Sequence, residues 1–148
     1  MADFDEDCLK EKQITKKPGA TIIKTEAEKN NKVKLMISNS NYFLKGSEEI
    51  LNTKTPSIVF IIGFYAMEHR ANALIIKNGY EVKDHYCSEI FLSKLGYKEL
   101  AKQLSYAESQ RRNHYNMNLD ENTIKRSKES SDKTVKEFIQ EIDNIMNS

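Results

Sequence analysis

Residues 56–79 of the chain, PSIVFIIGFYAMEHRANALIIKNG, contain its longest apolar run and decide the fold. The apolar pattern continues as far as Ile76, which is too long for one strand, so this segment predicts a helix over Pro56–Lys77. Pro56 suits a first helical turn, and Gly79 suits the end of a helix. Because the first half is apolar on every side, we expect a central helix or one covered by a second subunit.

Four further helices are predicted from apolar periodicity and capping residues. The first starts near Thr25 and ends before Asn52, the third spans His85–Leu95 between Asp84 and Gly96, the fourth spans Tyr97–Tyr115, and the fifth spans Asp120–Ile145. The side chains expected to face inward from the first helix are Val33, Met36, Ile37, Phe43, Leu44 and Ile50. The fourth helix has a stripe of Tyr97, Leu100, Leu104 and Ala107, and the fifth one of Val135, Phe138, Ile139, Ile142, Ile145 and Met146.

Only two prolines and five glycines occur in 148 residues, which favours long helices over a many-turned β fold. Short connections between successive helices favour antiparallel neighbours. We therefore expect one all-α domain over residues 21–148, an up-and-down antiparallel bundle of about five helices. Residues 1–20 are charged and aperiodic, so we interpret them as a mobile or loosely docked N-terminal arm.

Charge and cysteine content narrow the classes of function. Lysine and arginine number 23 against 22 acidic residues, so any phosphate-binding surface must be a local patch. Cys8 and Cys87 form no CxxC motif and lie far apart, so neither a zinc site nor a disulfide is expected, and a reduced, cytoplasmic setting is predicted. The apolar run Ile58–Met67 is too short to span a bilayer, so we expect no membrane association.

The central helix carries polar residues beside its apolar ones. Tyr65, His69 and Asn72 share one helical face, and Arg70 follows His69 directly. These four are candidate ligand-binding residues, able to hold a phosphate or polarise a hydroxyl. The alternative is a histidine hydrogen-bonded within the bundle and an arginine paired with an acid such as Glu68 or Glu89.

His85 is a fifth candidate ligand-binding residue, at the start of the third helix. A protonated imidazole there would oppose the helix dipole, so the neutral form is favoured. That form suits a general base or a hydrogen-bond donor. The alternative is a loop histidine beside Asp84.

The densest polar cluster is RRNHY at residues 111–115. Two guanidiniums, Arg111 and Arg112, can bind a phosphate, and the imidazole of His114 can move a proton near neutral pH. The three are candidate catalytic residues for metal-independent RNA cleavage. The alternative is a charged helix end that complements the last carbonyl groups. No Gly-rich phosphate loop or metal-site motif occurs, so we expect no cofactor and no metal.

Three segments together resemble the HEPN-domain family, especially its small stand-alone members. YAMEH at 65–69 is similar to the family signature YYAMFHA, and Gly79 followed by KDH at 83–85 matches its glycine turn and K-x-H element. RRNHY at 111–115 fits an arginine placed a few residues before an aromatic on a later helix. The resemblance covers about residues 41–115.

The resemblance implies a helical bundle that forms a homodimer. Many HEPN proteins are ribonucleases or toxins, often encoded beside a nucleotidyltransferase antitoxin, and their motif is an arginine with a histidine four to six residues beyond. Here His114 follows Arg112 by only two positions. Glu68 also replaces the aromatic residue that usually precedes the signature histidine, and Asn72 replaces a usual arginine.

The leading hypothesis is therefore a nucleotide- or RNA-associated binding module, with a nucleotidyltransferase as its partner in a toxin–antitoxin-like pair. The alternatives are a divergent metal-independent endoribonuclease and a structural helical adaptor. Convergence of His69, His85 and the arginine pair in one cleft would favour ligand binding or catalysis. Their dispersal would favour the adaptor.

Overall fold

The computed structural model describes residues 8, 19–50, 58–116 and 121–148, with the side chains at 113–116, 121–128 and 130 outside that description. Five helices and two short strands lie in these residues. In chain order they are β1 (Ala20–Ile22), α1 (Glu26–Ile50), α2 (Ile58–Lys77), β2 (Tyr80–Val82), α3 (His85–Lys94), α4 (Lys98–Asn116) and α5 (Glu121–Asn147). This confirms the predicted all-α bundle of about five helices.

Local signals place the helix ends within a few residues of the prediction. Thr25 caps α1, because its hydroxyl accepts a hydrogen bond from the Glu28 N–H at 3.1 Å. Asp84 caps α3 in the same way, accepting from the Tyr86 N–H at 2.8 Å. Gly79 has a φ of 99°, a left-handed conformation that ends α2 and turns the chain into β2.

The predicted central helix is α2, which packs against α1, β2, α3, α4 and α5. Thirteen of its twenty residues are buried, so neighbouring elements of the same chain cover most of its apolar surface. The inward stripes of α4 and α5 are confirmed, since Leu100, Leu104, Phe138 and Ile142 are all buried. A central position accounts for the all-round apolar pattern that the sequence shows.

The residues of α1 that pack against α2 differ from those predicted to face inward. Those residues are only half-buried, and the buried members of α1 are Ser40 and Ser47. Ser40 Oγ donates a hydrogen bond to the Ala66 carbonyl at 2.6 Å, which joins the two helices. Gly63 allows close packing of α2 against α5, because a Cβ there would lie 3.1 Å from Val135 Cγ2.

Two strands of three residues each lie beside the helices, and the sequence analysis did not predict them. β1 pairs antiparallel with β2, with Ala20 opposite Val82 and Ile22 opposite Tyr80. Strands of three residues are too short for period-two alternation to be read from a sequence. Their pairing also joins residues about sixty positions apart, which no local pattern encodes.

The structure also corrects the expectation that the two cysteines stay unpaired. Cys8 and Cys87 form a disulfide between the N-terminal arm and α3. Both cysteines are buried, as is Ala20, and the Lys83 N–H donates to the Gly19 carbonyl at 2.7 Å. At its described positions, 8, 19 and 20, the arm is therefore held against the domain. The rest of residues 1–20 lie outside the described part of the chain.

One helix in the described residues, Ile58–Lys77, is long and apolar enough to cross a membrane by length and composition. Two thirds of that apolar window, 67%, is buried inside the bundle. The apolar surface of α2 thus forms the protein core, as the burial of its individual residues also shows.

Candidate ligand-binding cleft

A polar cleft of about 290 Å³ lies between α1, α2, β2 and the first turn of α3. Histidine, amide, hydroxyl and charged side chains from these elements line it. The lining residues are Met36, Glu68, His69, Asn72, Ile76, Glu81, Val82, Lys83, Asp84, His85 and Ser88. His69, Asn72 and His85, three of the predicted site residues, therefore meet in one place.

His69 is held in a mostly apolar part of the cleft. Its ring stacks on Phe43 with centroids 5.3 Å apart and planes only 9° from parallel. Its Nδ1 lies 3.4 Å from the sulfur of Met36. Burial lowers the pKa of His69, because the surroundings disfavour the charged imidazolium. The cleft therefore presents a neutral imidazole at this position.

Asn72 is oriented by a neighbouring hydroxyl on α3. The buried Ser88 Oγ donates to Asn72 Oδ1 at 2.9 Å. This bond occupies the amide oxygen, so the NH₂ group is the part of Asn72 that a ligand would meet. An oriented amide of this kind can donate to a base or carbonyl acceptor.

Glu68 links the cleft to the charged groups behind it. Its Oε2 hydrogen-bonds to His85 Nδ1 across the α2–α3 contact. Burial raises the pKa of Glu68, although the nearby His85 and Arg111 charges act in the opposite direction. From the sequence, Glu68 was a possible ion-pair partner for Arg70, but in the structure it pairs with His85.

The arginine pair lies behind the cleft on α4. Arg111 is 14% exposed and donates to Glu108 Oε1 at 3.0 Å. Its guanidinium carbon lies 5.1 Å from the ring centroid of Phe64 and 5.9 Å from that of Tyr65. Arg112 is 64% exposed and lies 3.4 Å from Glu108 Oε2. Arg111 thus contacts the aromatic side of α2, and the cleft is lined by other residues.

The remaining predicted site residues lie elsewhere. Arg70 is buried and directed toward α1 and α5, where it hydrogen-bonds to Asn41 and lies 3.4 Å from Asp143 Oδ1. Tyr65 packs beside the cleft, with its ring centroid 5.5 Å from that of Phe43. His114 lies on α4, but its side chain is outside the described residues.

The β2 wall of the cleft is an ion-pair network. Lys32 of α1 and Lys83 both bind Glu81, which places two ammonium groups around one carboxylate. Partial burial acts to raise the pKa of Glu81, but hydrogen bonds from the two lysines outweigh it and lower the pKa. This end of the cleft therefore carries two ammonium groups, and Glu81 together with Glu28, which lies 3.5 Å from Lys32, balances them.

Sequence reasoning missed Glu68, Ser88, Lys83 and Met36 as cleft residues. Lys83 belongs to the K-x-H element, and Met36 was predicted to face inward from the first helix. Glu68 and Ser88 carry no local signal, since they reach the cleft through contact between helices. Among the described residues, no group of three or more His, Cys, Asp and Glu side chains could hold a metal ion.

Comparison with known proteins adds no identification. No family model, curated protein or solved structure matches the chain.

Proposed function

We propose that this chain is a HEPN-type binding module that holds a nucleotide, or a nucleotide unit of RNA, in the cleft lined by His69, Asn72, His85 and Ser88. The observation that carries the proposal is the meeting of both described histidines and an oriented asparagine in one cleft. These residues come from α2 and α3. The two histidines meet as ligand binding requires, whereas the arginine pair lies outside the lining of the cleft, on α4.

The chemistry of the lining suits a nucleotide. A volume of about 290 Å³ is close to the lower limit of small-molecule sites, roughly 300 Å³. The Asn72 amide can donate to a base, the imidazoles can bind hydroxyl or base N–H groups, and the ammonium group of Lys83 at the rim can attract a phosphate. Ile76 and Met36 provide apolar surface for a base or sugar face.

The proposal includes the partners that the family resemblance implies. They are a second copy of this chain in a homodimer and a nucleotidyltransferase encoded nearby. The resemblance at 65–69, 79 and 83–85 supports them, and these segments form the central helix and the cleft wall of the structure.

The second candidate function is a metal-independent endoribonuclease. The observation in its favour is that His85 has a buried carboxylate partner, Glu68, which is the arrangement that prepares an imidazole for proton transfer. The predicted Arg111–Arg112–His114 set is less favoured, because Arg111 is packed on Phe64 and paired with Glu108.

The test is calorimetric titration with AMP, GMP, CMP, UMP and a short single-stranded RNA, in buffer without metal ions. We expect at least one of these to bind the wild type and to bind Asn72→Ala about tenfold more weakly, the effect of losing one hydrogen bond. Asn31→Ala, an exposed asparagine on α1, is the matched control and should bind as the wild type does.

Absence of binding by all five ligands, or equal affinity for Asn72→Ala, would contradict the binding proposal. Incubation with the same RNA tests the ribonuclease alternative in parallel. Cleavage that His85→Ala abolishes and Arg112→Ala leaves intact would favour the alternative over simple binding.

A further inference from the structure

His85 is held by its surroundings in one orientation. Its Nδ1 is hydrogen-bonded to Glu68, and its ring meets Phe64 edge to face with centroids 5.5 Å apart. Asp84, the preceding residue, caps α3 and fixes the backbone there. The Glu68 side chain is 10% exposed and the His85 side chain is 46% exposed, so the carboxylate is enclosed while the imidazole reaches the cleft.

This geometry determines which nitrogen meets a ligand. With Nδ1 bound to the carboxylate, Nε2 is on the opposite side of the ring, directed away from Glu68. When the pair holds a single proton, that proton lies between Nδ1 and Oε2, because two bare lone pairs facing each other would repel. Nε2 then carries a lone pair and acts as a hydrogen-bond acceptor.

Two carboxyl groups, Glu68 and Glu89, interact electrostatically with His85. Their negative charge discourages an anion at Nε2, and the Arg111 guanidinium on α4 acts on Glu68. The ammonium groups of Lys32 and Lys83 lie on the β2 wall of the cleft. A neutral group such as a hydroxyl therefore suits the His85 end, and a phosphate suits the β2 end.

We propose that His85, positioned by Glu68, accepts a hydrogen bond from a ribose hydroxyl of the bound ligand, so that the cleft selects ribonucleotides over analogues without that hydroxyl. This inference rests on the proposed nucleotide-binding function and adds the group that the site recognises. His85 makes the contact, and Glu68 acts through His85 as a positioning residue.

The first experiment compares AMP, GMP, CMP and UMP with their 2′,3′-dideoxy counterparts by calorimetry at about pH 8, where an ordinary imidazole is neutral. We expect the dideoxy forms to bind about tenfold more weakly, since the Nε2 acceptor loses its hydrogen-bond donor. Equal affinities would overturn this inference and leave the binding function standing. Failure of all the nucleotides to bind would overturn both.

The second experiment separates the role of Glu68 in positioning from any role in folding. Glu68→Leu removes the carboxylate that holds His85 Nδ1, so it should lose the preference for ribose. The His85 side chain is 46% exposed and can bond to water instead, so the variant should remain folded with some loss of stability. Glu68→Gln should retain the preference, because its amide oxygen can still accept from Nδ1–H. Glu89→Gln, a half-buried glutamate on the same side of α3, is the matched control and should also retain it.

Circular dichroism and urea unfolding of each variant establish that it is folded. A full ribose preference in folded Glu68→Leu would overturn the positioning role. An equal loss of ribose preference in Glu89→Gln would also overturn the positioning role, because a general change in charge would then explain the loss in Glu68→Leu.

Discussion

At the scale of single residues, two polar side chains of α2 are oriented in the cleft by groups on α3. Glu68 pairs with His85, and Asn72 accepts a hydrogen bond from Ser88. The position of each polar group therefore depends on the contact between α2 and α3.

The two neighbouring arginines of α4 should differ in their effect on stability. Arg111 is nearly enclosed over Phe64, whereas the side chain of Arg112 is mostly exposed. We expect Arg111→Ala to lower the free energy of unfolding by about 1–2 kcal/mol, through lost packing and cation–π contact. Arg112→Ala should lower it by about 0.5 kcal/mol or less. Urea unfolding followed by circular dichroism measures both, and equal losses would contradict the packing role of Arg111.

At the scale of elements, an ion pair connects α1 to the cleft wall. Lys32 of α1 reaches Glu81 in the middle of β2, and Glu81 is opposite Thr21 of β1. The strand pair, the first helix and the cleft are therefore joined at one carboxylate. Because the pKa of Glu81 is lowered in the folded protein, this connection contributes stability that depends on pH.

The sign of that dependence follows from the lowered pKa. The stabilisation by Glu81 is fully present above the ordinary pKa of an unfolded glutamate and is lost as the pH falls through the lower folded value. We expect Glu81→Gln to lower the free energy of unfolding by about 0.5–1 kcal/mol at neutral pH, with a difference that shrinks toward zero in acid. Urea unfolding across this pH range tests it. Glu137→Gln, an exposed glutamate paired with Lys133 on α5, should show little difference at any pH.

At the scale of the whole molecule, the Cys8–Cys87 bond closes a loop between residues 79 positions apart. A cross-link over such a loop limits the unfolded chain and is typically worth about 2–4 kcal/mol. We expect a reductant to lower the free energy of unfolding of the wild type by about that amount. The free energy of unfolding of Cys8→Ser should be lower than that of the wild type by the same amount, and the reductant should not lower it further. A wild type that unfolds identically with and without reductant would contradict the disulfide.

The predicted homodimer needs a surface other than the buried part of α2. Large exposed apolar side chains occur at Leu35 and Tyr42, seven residues apart on one face of α1, and at Ile58 where α2 begins. We expect light scattering at micromolar concentration to show a dimer and Tyr42→Glu to dissociate it, because a charge in an apolar interface costs several kcal/mol. A monomeric wild type would contradict the prediction.

The sequence by itself was sufficient to predict the positions of the helices and part of the candidate site. Apolar periodicity and the capping residues Thr25 and Asp84 are local properties, so helix positions followed from neighbouring residues alone. The common face of His69 and Asn72 followed in the same way, from a spacing of three residues on one helix. Arg70, one position beyond His69, is rotated by about 100° and is directed toward α1 and α5.

Only the tertiary structure decided the features that join distant residues. The β1–β2 pair, the Cys8–Cys87 bond and the Glu68–His85 contact each depend on how separate segments pack, and their partners lie 17 to 79 positions apart. The burial of Arg111 depends likewise on the approach of α4 to α2. Periodicity and capping act over one or two helical turns. Contacts between distant residues depend instead on which of many arrangements of the same helices has the lowest free energy.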